Sequence, residues 1–346
     1  MKLILLMRSL EVGGAERLVL DLAKKMPNVY LITLYGGAFE YEAKETLKER
    51  LIVLNGSKLQ KLKQWIEILN TQKPDIVYAH LGEAQLLSLI AKFYGAKAVW
   101  CLHSTNLDWS SIGKVGKALF GILAKLAHFA DAAIPVCNAA LEFHAKHGYK
   151  FKKHKVIFPG VDTEKFCPKE VPKKDFFSVG ISARLDPIKG YDLLAKAAKI
   201  VLSQRDDIRF FSAGSDNEKI RLECEQILGD YKDRFIWLGR TSDMCTFYNS
   251  LDAIVSSSYA EAFSIAILEA MACDKTVVAT DVGNSALIVG DGGLIVLPND
   301  ANALAEAIIN ALTLKLEPRE RIKNSYSLES CAKETQKYLE DLKNEI

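Results

Sequence analysis

Short runs of β-branched and apolar residues alternate along the whole chain with stretches of helical periodicity. This alternation restricts the fold to parallel sheets covered by helices. The first half holds KLILLM, VYLITL, LIVL, DIVYAH, KAVWCLH, AAIPVC and KVIF, and the second holds FFSVGIS, IRFFSAG, FIWLG, AIVSSS, TVVAT and GLIVL. Helix-like segments lie between them, such as Ala15 to Met26, where Leu18, Val19, Leu22 and Met26 share a face.

The pattern pauses once, at GVDTEKFCPKEVPKKD, where Pro168 and Pro172 stand among charges and mark a linker near 161–175. The reading is α/β: two Rossmann-like βαβ domains facing each other across a cleft, over 1–165 and 176–326. The charged amphipathic segment 327–346 has no strand after it and is expected to cross back onto the N-terminal domain. A length of 346 residues agrees with two domains of about 150 each.

Charge is balanced overall, 45 Lys and Arg against 43 Asp and Glu, so a surface built throughout for nucleic acid is excluded and no nucleic-acid partner is expected. The balance hides an asymmetry. Residues 1–165 hold 23 basic against 15 acidic side chains, +8, while the remainder holds 22 against 28, −6. The basic half suits an anionic partner, either a phosphorylated substrate or an anionic membrane surface.

Seven cysteines, at 101, 137, 167, 224, 245, 273 and 331, include no CxxC pair and read as reduced thiols, with neither a disulfide frame nor a zinc site. MKLILLMRSL has too short an apolar core for a signal peptide, and no run approaches the ~18 residues of a membrane span. The expected location is the cytoplasm or, for a peripheral protein, the cytosolic face of the inner membrane.

Three constellations carry chemistry. Gly13 and Gly14 follow the first strand and precede a helix opening at Ala15. Paired glycines there either form a tight turn or let backbone N–H groups approach a phosphate. Arg184 and Lys189, in SARLDPIKGYDLL, follow the first strand of the second half. They are solvated cations or, at the carboxyl edge of an open sheet, a clamp for a diphosphate.

In YAEAFSIAILEAMACDKTVVATDVG, Glu261 and Glu269 are eight residues apart, a spacing that on one helix brings both carboxylates toward one cleft. Carboxylates there suit the hydroxyls of a ribose and a sugar, or are simply a helix-start acid and a solvated residue. Phe263, Ser264 and Ile265 offer backbone N–H groups at the helix start.

His103 ends KAVWCLH at the same sheet edge as Gly13 and can hydrogen-bond a substrate hydroxyl or a phosphate oxygen. His144 and His147 read as a solvated helix face and not as a metal pair. The stretch 113–129 reads as a helix with Val115, Leu119, Ile122, Leu123 and Leu126 on one side and Lys114, Lys117, Lys125 and His128 opposite. Such a helix either covers a sheet or lies on an anionic membrane. The chain contains no DxD, GxxxxGK[ST], HExxH or GxSxG, so DxD-type metal-dependent sugar transfer, P-loop chemistry, zincin proteolysis and the esterase elbow lose support.

Taken in order, GGAER, His103, PGVDTEKF, SARLDPIKGYDLL, FIWLG and the E-x7-E block resemble the retaining GT-B glycosyltransferases of family four (group 1) over nearly the whole chain. The resemblance implies a nucleotide-diphosphate-sugar donor held by the C-terminal domain and an acceptor held by the N-terminal one, with no metal or other cofactor. It assigns Arg184 and Lys189 to the diphosphate, Glu269 to the ribose, Glu261 to the donor sugar, His103 to the sugar near the reacting centre and Gly14 to the phosphates or acceptor. Retention by same-face attack, the leaving phosphate accepting the acceptor's proton, is implied in the same way. The sequence departs from the family where the usual E-G-F-G reads Glu261-Ala262-Phe263-Ser264, where CDKT replaces C-G-x-P, and where Ala286 stands in place of an acid.

The activity expected is transfer of a hexose or N-acetylhexosamine from a UDP- or GDP-sugar to a lipid-linked or growing glycan of a bacterial surface polysaccharide: lipopolysaccharide, O-antigen or capsule. A nucleotide-sugar epimerase of the same architecture and a non-catalytic two-domain sugar-binding protein are the alternatives.

Overall fold

In the computed structural model, which describes residues 1–105, 109 and 113–345, the alternation resolves into two parallel six-stranded sheets. The first is built from β1 Leu3–Met7, β2 Val29–Thr33, β3 Leu51–Val53, β4 Ile76–His80, β5 Lys97–Leu102 and β6 Ala132–Pro135. The second is built from β7 Phe177–Ser182, β8 Ile208–Ala213, β9 Phe235–Gly239, β10 Ala253–Ser256, β11 Thr276–Thr280 and β12 Gly293–Val296. Their orders, β3-β2-β1-β4-β5-β6 and β12-β11-β10-β7-β8-β9, are one arrangement used twice. The central strands β1, β4 and β11 are buried along their whole length, as expected of strands covered by helices on both faces.

The run KVIF does not form a seventh strand. Ala133 donates to Lys153 O and accepts from Lys155 N–H, making an isolated bridge at His154. The next ladder bond would need an N–H from Pro135, which has none, so pairing stops with Ile157 N–H on Pro135 O.

One unit comprises Met1–Gly160 and the chain from Leu328 onward, and the other is Val161–Ser327. The boundary therefore falls earlier than expected, and 161–175 is no free linker. Val161 N–H donates to Tyr326 O at 2.9 Å, and the Arg319 guanidinium donates to Thr163 O and Phe166 O at 2.8 Å and also to Ala272 O. Asn249 Oδ1 accepts the Lys169 N–H at 2.7 Å.

The helix Leu328–Asn344 packs on the helix Gly14–Lys25 and buries Leu328, Cys331, Ala332, Thr335, Leu339 and Leu342. Lys97 Nζ donates to Leu342 O and Glu345 O at its end. Helix Gly14–Lys25 in turn buries the predicted Leu18, Val19 and Leu22, with Met26 just past its end, and Leu20 and Ala23 as well, so its buried face is wider than the periodicity predicted.

Helix Lys114–Leu126 covers the first sheet with Leu119, Phe120, Leu123, Ala124 and Leu126, which pack on the core that holds Ile4, Leu6, Val77 and Trp100; positions 110–112 of that stretch lie outside the described residues. Within the helix Leu123 is buried, while Val115 is 81% and Ile122 48% exposed, and Phe129 just beyond is 52% exposed. The helix also meets the helix Gly82–Ser88, while Val115 and Ile122 of its apolar side stay exposed.

His144 is also corrected. It is buried among Phe120, Phe143 and Tyr149 with Nδ1 on Ala140 O at 2.8 Å, whereas His147 is exposed. Among the described residues, no helix is long and apolar enough to cross a membrane.

Candidate active site

Because both sheets share one strand order, each has a switch point between its first and fourth strands, where successive crossovers leave on opposite faces and open a crevice at the carboxyl edge. In the second unit this point lies between β7 and β10. After β7 the chain passes Arg184 and enters a turn, Pro187–Lys189, that Asp186 caps by accepting the Ile188 N–H at 3.1 Å.

Gly190 follows at φ +63°, and a Cβ there would lie 2.0 Å from the Ser257 carbonyl oxygen. Both the left-handed backbone and the close approach demand glycine. The β7 and β10 loops are thereby pressed together, with Tyr259 N–H on Ile188 O at 2.8 Å and Ser257 Oγ on Lys189 O at 3.1 Å.

This packing puts Lys189 Nζ 2.6 Å from Glu261 Oε1, which also accepts from Ser258 Oγ at 2.8 Å. The pair is largely shielded, with 23% and 12% of the side chains exposed. On the far side of the loop, Gly283 at φ +58° would place a Cβ 1.9 Å from the Glu261 carbonyl oxygen, and Asn284 Nδ2 donates to Ala262 O at 2.9 Å. Arg184 differs: it stands 4.0 Å from Asp186 with 59% of its side chain exposed, a guanidinium within reach of a ligand.

Glu261 and Glu269 do not share a helix. The helix starts at Ile265, with Ser264 as an extended N-cap at φ −83°, ψ 106°, because the residues before it are committed to the Lys189 and Gly283 contacts. Glu269 instead accepts from the buried Tyr248 hydroxyl at 2.9 Å. Burial, and then the Glu269 carboxylate, push that phenol well above its usual range, so it is a fixed donor. Phe263 is buried with its ring 5.7 Å from that of Tyr326, and the first-turn N–H groups from Ile265 onward end at the same loop.

In the first unit, Gly13 is the N-cap and Gly14 the first residue of its helix. Gly13 is extended, at φ −170°, which any residue adopts, so the pair is not required by backbone conformation; Gly14 is exposed and open to close approach. Arg8, just after β1, pairs with Glu83 at 3.3 Å across the first switch point.

His103 follows β5, and its Nε2 lies 3.0 Å from Nδ1 of His80, the last residue of β4. Register pairs His80 with Cys101, so His103, two residues on, faces the same side. His80 is fully buried and its ring lies 4.2 Å from that of Tyr78. Burial draws His80 well below the usual imidazole range and His103 down to about 4, with His144 a smaller cause for the latter, so both are neutral at pH 7. The end of β5 is held by a buried chain in which Trp100 Nε1 donates to Ser88 Oγ, Ser88 Oγ to Gln85 O, and Gln85 Nε2 to Cys101 O.

The structure thus joins Lys189 to Glu261 and leaves Arg184 apart from that pair. It also adds Ser258, Tyr248 and His80. His80 had a signal, since DIVYAH ends in histidine just as KAVWCLH does. Tyr248 had none, because its partner lies 21 residues away on another helix. A cavity of about 410 Å³ at the opposite, amino edge of the second sheet is lined by Lys174, Asp207, Asp252 and Lys275 and includes none of these residues.

Two family models match the chain: Glycosyltransferase Family 4 over residues 12–165 and Glycosyl transferases group 1 over residues 162–327. The chain belongs to this glycosyltransferase family, and its fold is GT-B. It is 29% identical to a phosphatidylinositol N-acetylglucosaminyltransferase subunit of Arabidopsis thaliana over 78% of its own length, spanning 62% of that relative. It is 22% identical to the capsular polysaccharide biosynthesis glycosyltransferase CapM of Staphylococcus aureus over 88% of both chains. Among solved structures, Anabaena Alr3699/HepE in complex with UDP superposes with a TM-score of 0.82 at 21% identity, covering 99% of this chain and 100% of that one.

Proposed function

We propose that this glycosyltransferase moves a hexose or N-acetylhexosamine from a UDP-sugar, or else a GDP-sugar, to a lipid-linked or growing glycan of a bacterial surface polysaccharide, with retention and without a metal ion. The observation that carries the proposal is the shielded Lys189–Glu261 pair, with Arg184 exposed on the same loop as Lys189, at the second switch point. The HepE complexes with UDP and UDP-glucose support the uracil nucleotide. The name of the S. aureus relative supports the capsule class of acceptor.

In this reading the donor diphosphate draws Lys189 from Glu261 and meets Arg184, so both cations face the oxygen on which charge develops. Glu261, released from Lys189 and still held by Ser258, takes a sugar hydroxyl. Glu269, oriented by Tyr248, takes the ribose. The Phe263, Ser264 and Ile265 backbone lines the phosphates, Gly13 and Gly14 admit the phosphates or acceptor closely, and His103 bonds the sugar near the reacting centre. The anomeric carbon–phosphate oxygen bond breaks, the carbon–acceptor oxygen bond forms on the same face, and the acceptor proton goes to the departing phosphate.

A membrane-borne acceptor is supported by the exposed stripe Val115, Ile122 and Phe129, seven residues apart, beside exposed Lys114, Lys117 and Lys125. Sedimentation with anionic liposomes at low and high salt tests this. No retention even at low ionic strength would reduce the helix to a sheet cover.

Release of nucleoside diphosphate from a panel of donors, with chelator and a lipid-linked glycan acceptor, tests the transfer. Turnover that needs a divalent ion would overturn the metal-free step. Conversion of the nucleotide sugar with no acceptor present would make the protein an epimerase instead, and tight binding of free sugar without nucleotide would make it a sugar-binding protein.

A further inference from the structure

We infer that His80 is a positioning residue that fixes the tautomer of His103, so that His103 presents its Nδ1–H to the ligand as a hydrogen-bond donor. The inference rests on the proposed place of His103 at the reacting centre.

Two neutral imidazoles 3.0 Å apart share one hydrogen, and there are two ways to place it. If His103 Nε2–H donates, His80 must carry its own proton on Nε2. That atom is fully buried and meets no polar partner among the described residues. A buried N–H without an acceptor is the rarer and costlier orphan. If His80 Nδ1–H donates, His80 Nε2 is a bare lone pair, and the proton of His103 lies on Nδ1, the ring nitrogen outside the pair.

The backbone shows how firmly His80 is held. Leu81, the next residue, sits at φ +66°, ψ 122°, and Gly82 at φ +44°. A leucine in that region is strained and persists only where its surroundings over-determine it.

The donor atoms of His80, Cys101 and His103 all lie within 4.8 Å of one another, so a soft metal ion is the competing occupant. The geometry favours the hydrogen bond. The nitrogens stand at hydrogen-bond distance, and burial pushes the Cys101 thiol up to about 12, whereas a metal would take the thiolate. With Nε2 engaged by His80 and Nδ1 protonated, His103 can stabilise an oxygen but cannot remove a proton from one. That role fits transfer with the leaving phosphate as base, and it opposes an internal acid–base pair.

The direct test is NMR of the full-length protein with 15N-labelled imidazoles. A protonated Nδ1 and a bare Nε2 on His103 are expected. The opposite tautomer, or one zinc ion bound per chain through these side chains, would overturn the assignment. His80→Leu should convert His103 to a mixture of tautomers and lower kcat at least about tenfold while donor KM stays within about twofold. His80→Asn, whose amide can donate from nearly the same place, should recover most of the turnover and the wild-type tautomer.

In a His103→Ala background, His80→Leu should cost nothing further, and additive losses would assign His80 a merely structural role. If His103→Ala itself leaves turnover unchanged, the proposed place of His103 fails, while the spectrum of the unmutated protein still decides the tautomer. Should His80→Leu not fold, that spectrum and His80→Asn decide the question.

Discussion

Lys189 and Arg184 are both cations on one loop, yet their surroundings predict different behaviour on removal. Lys189 is shielded against Glu261, so Lys189→Ala strands a buried carboxylate that has lost its cation, with Ser258 still donating to it. It should lower both melting temperature and kcat/KM, the latter at least about tenfold, near 1.4 kcal/mol of barrier. Arg184 is mostly exposed, so Arg184→Ala should melt within about 0.5 kcal/mol of the parent while losing at least about tenfold in turnover. Equal melting with unchanged turnover would remove Arg184 from the proposed diphosphate site.

The buried histidines set a pH dependence. Folding lowers His103 and His144 from 6.5 to about 4, each mainly by burial, so between those values the unfolded chain binds more protons than the folded one. Stability is therefore fully present above about pH 6.5 and falls as pH drops toward 4, by a few kcal/mol in all. Urea midpoints measured across that window check it. A flat profile would show that these rings titrate normally.

At the level of elements, glycines that look alike in sequence divide by geometry. Gly190 and Gly283 combine positive φ with a carbonyl about 2 Å from any Cβ, so Gly190→Ala or Gly283→Ala should cost on the order of 1–3 kcal/mol, the first loosening the β7 loop from the β10 loop and the second the β11 loop from the β10 loop. Gly13 is extended, and the atoms nearest a Cβ there belong to the Glu16 side chain, so Gly13→Ala should leave the melting temperature nearly unchanged. Thermal melts of the three variants make the comparison.

Strands and most helices were legible because their periodicity is local. The KVIF run was misread since its failure to pair depends on Pro135 of a neighbouring strand. The Glu261–Glu269 spacing misled since the helix starts only after Glu261 has been captured by Lys189.

Across the whole molecule, the C-terminal helix Leu328–Asn344 completes the first unit, not the second that precedes it. Its Leu328, Leu339 and Leu342 are each about 2% exposed or less, and burying a leucine contributes about 2 kcal/mol. A chain ending at Ser327 should therefore lose amide-exchange protection throughout β1 to β6 while the second unit keeps its own. Uniform protection in both would show the helix to be dispensable. Divided by these units the formal charges are +7 and −5, so the asymmetry read along the chain survives the transfer of the helix.

Two parallel sheets, their switch-point loops and the residue types on those loops were determined locally, by apolar periodicity and turn chemistry over a few residues. Which side chains meet was not. The Lys189–Glu261 pair spans 72 positions, Tyr248–Glu269 spans 21 and His80–His103 spans 23. The first and last exist because parallel strands bring distant segments to one edge, and Tyr248–Glu269 because two helices pack together; crossovers of variable length leave no fixed spacing to record any of them.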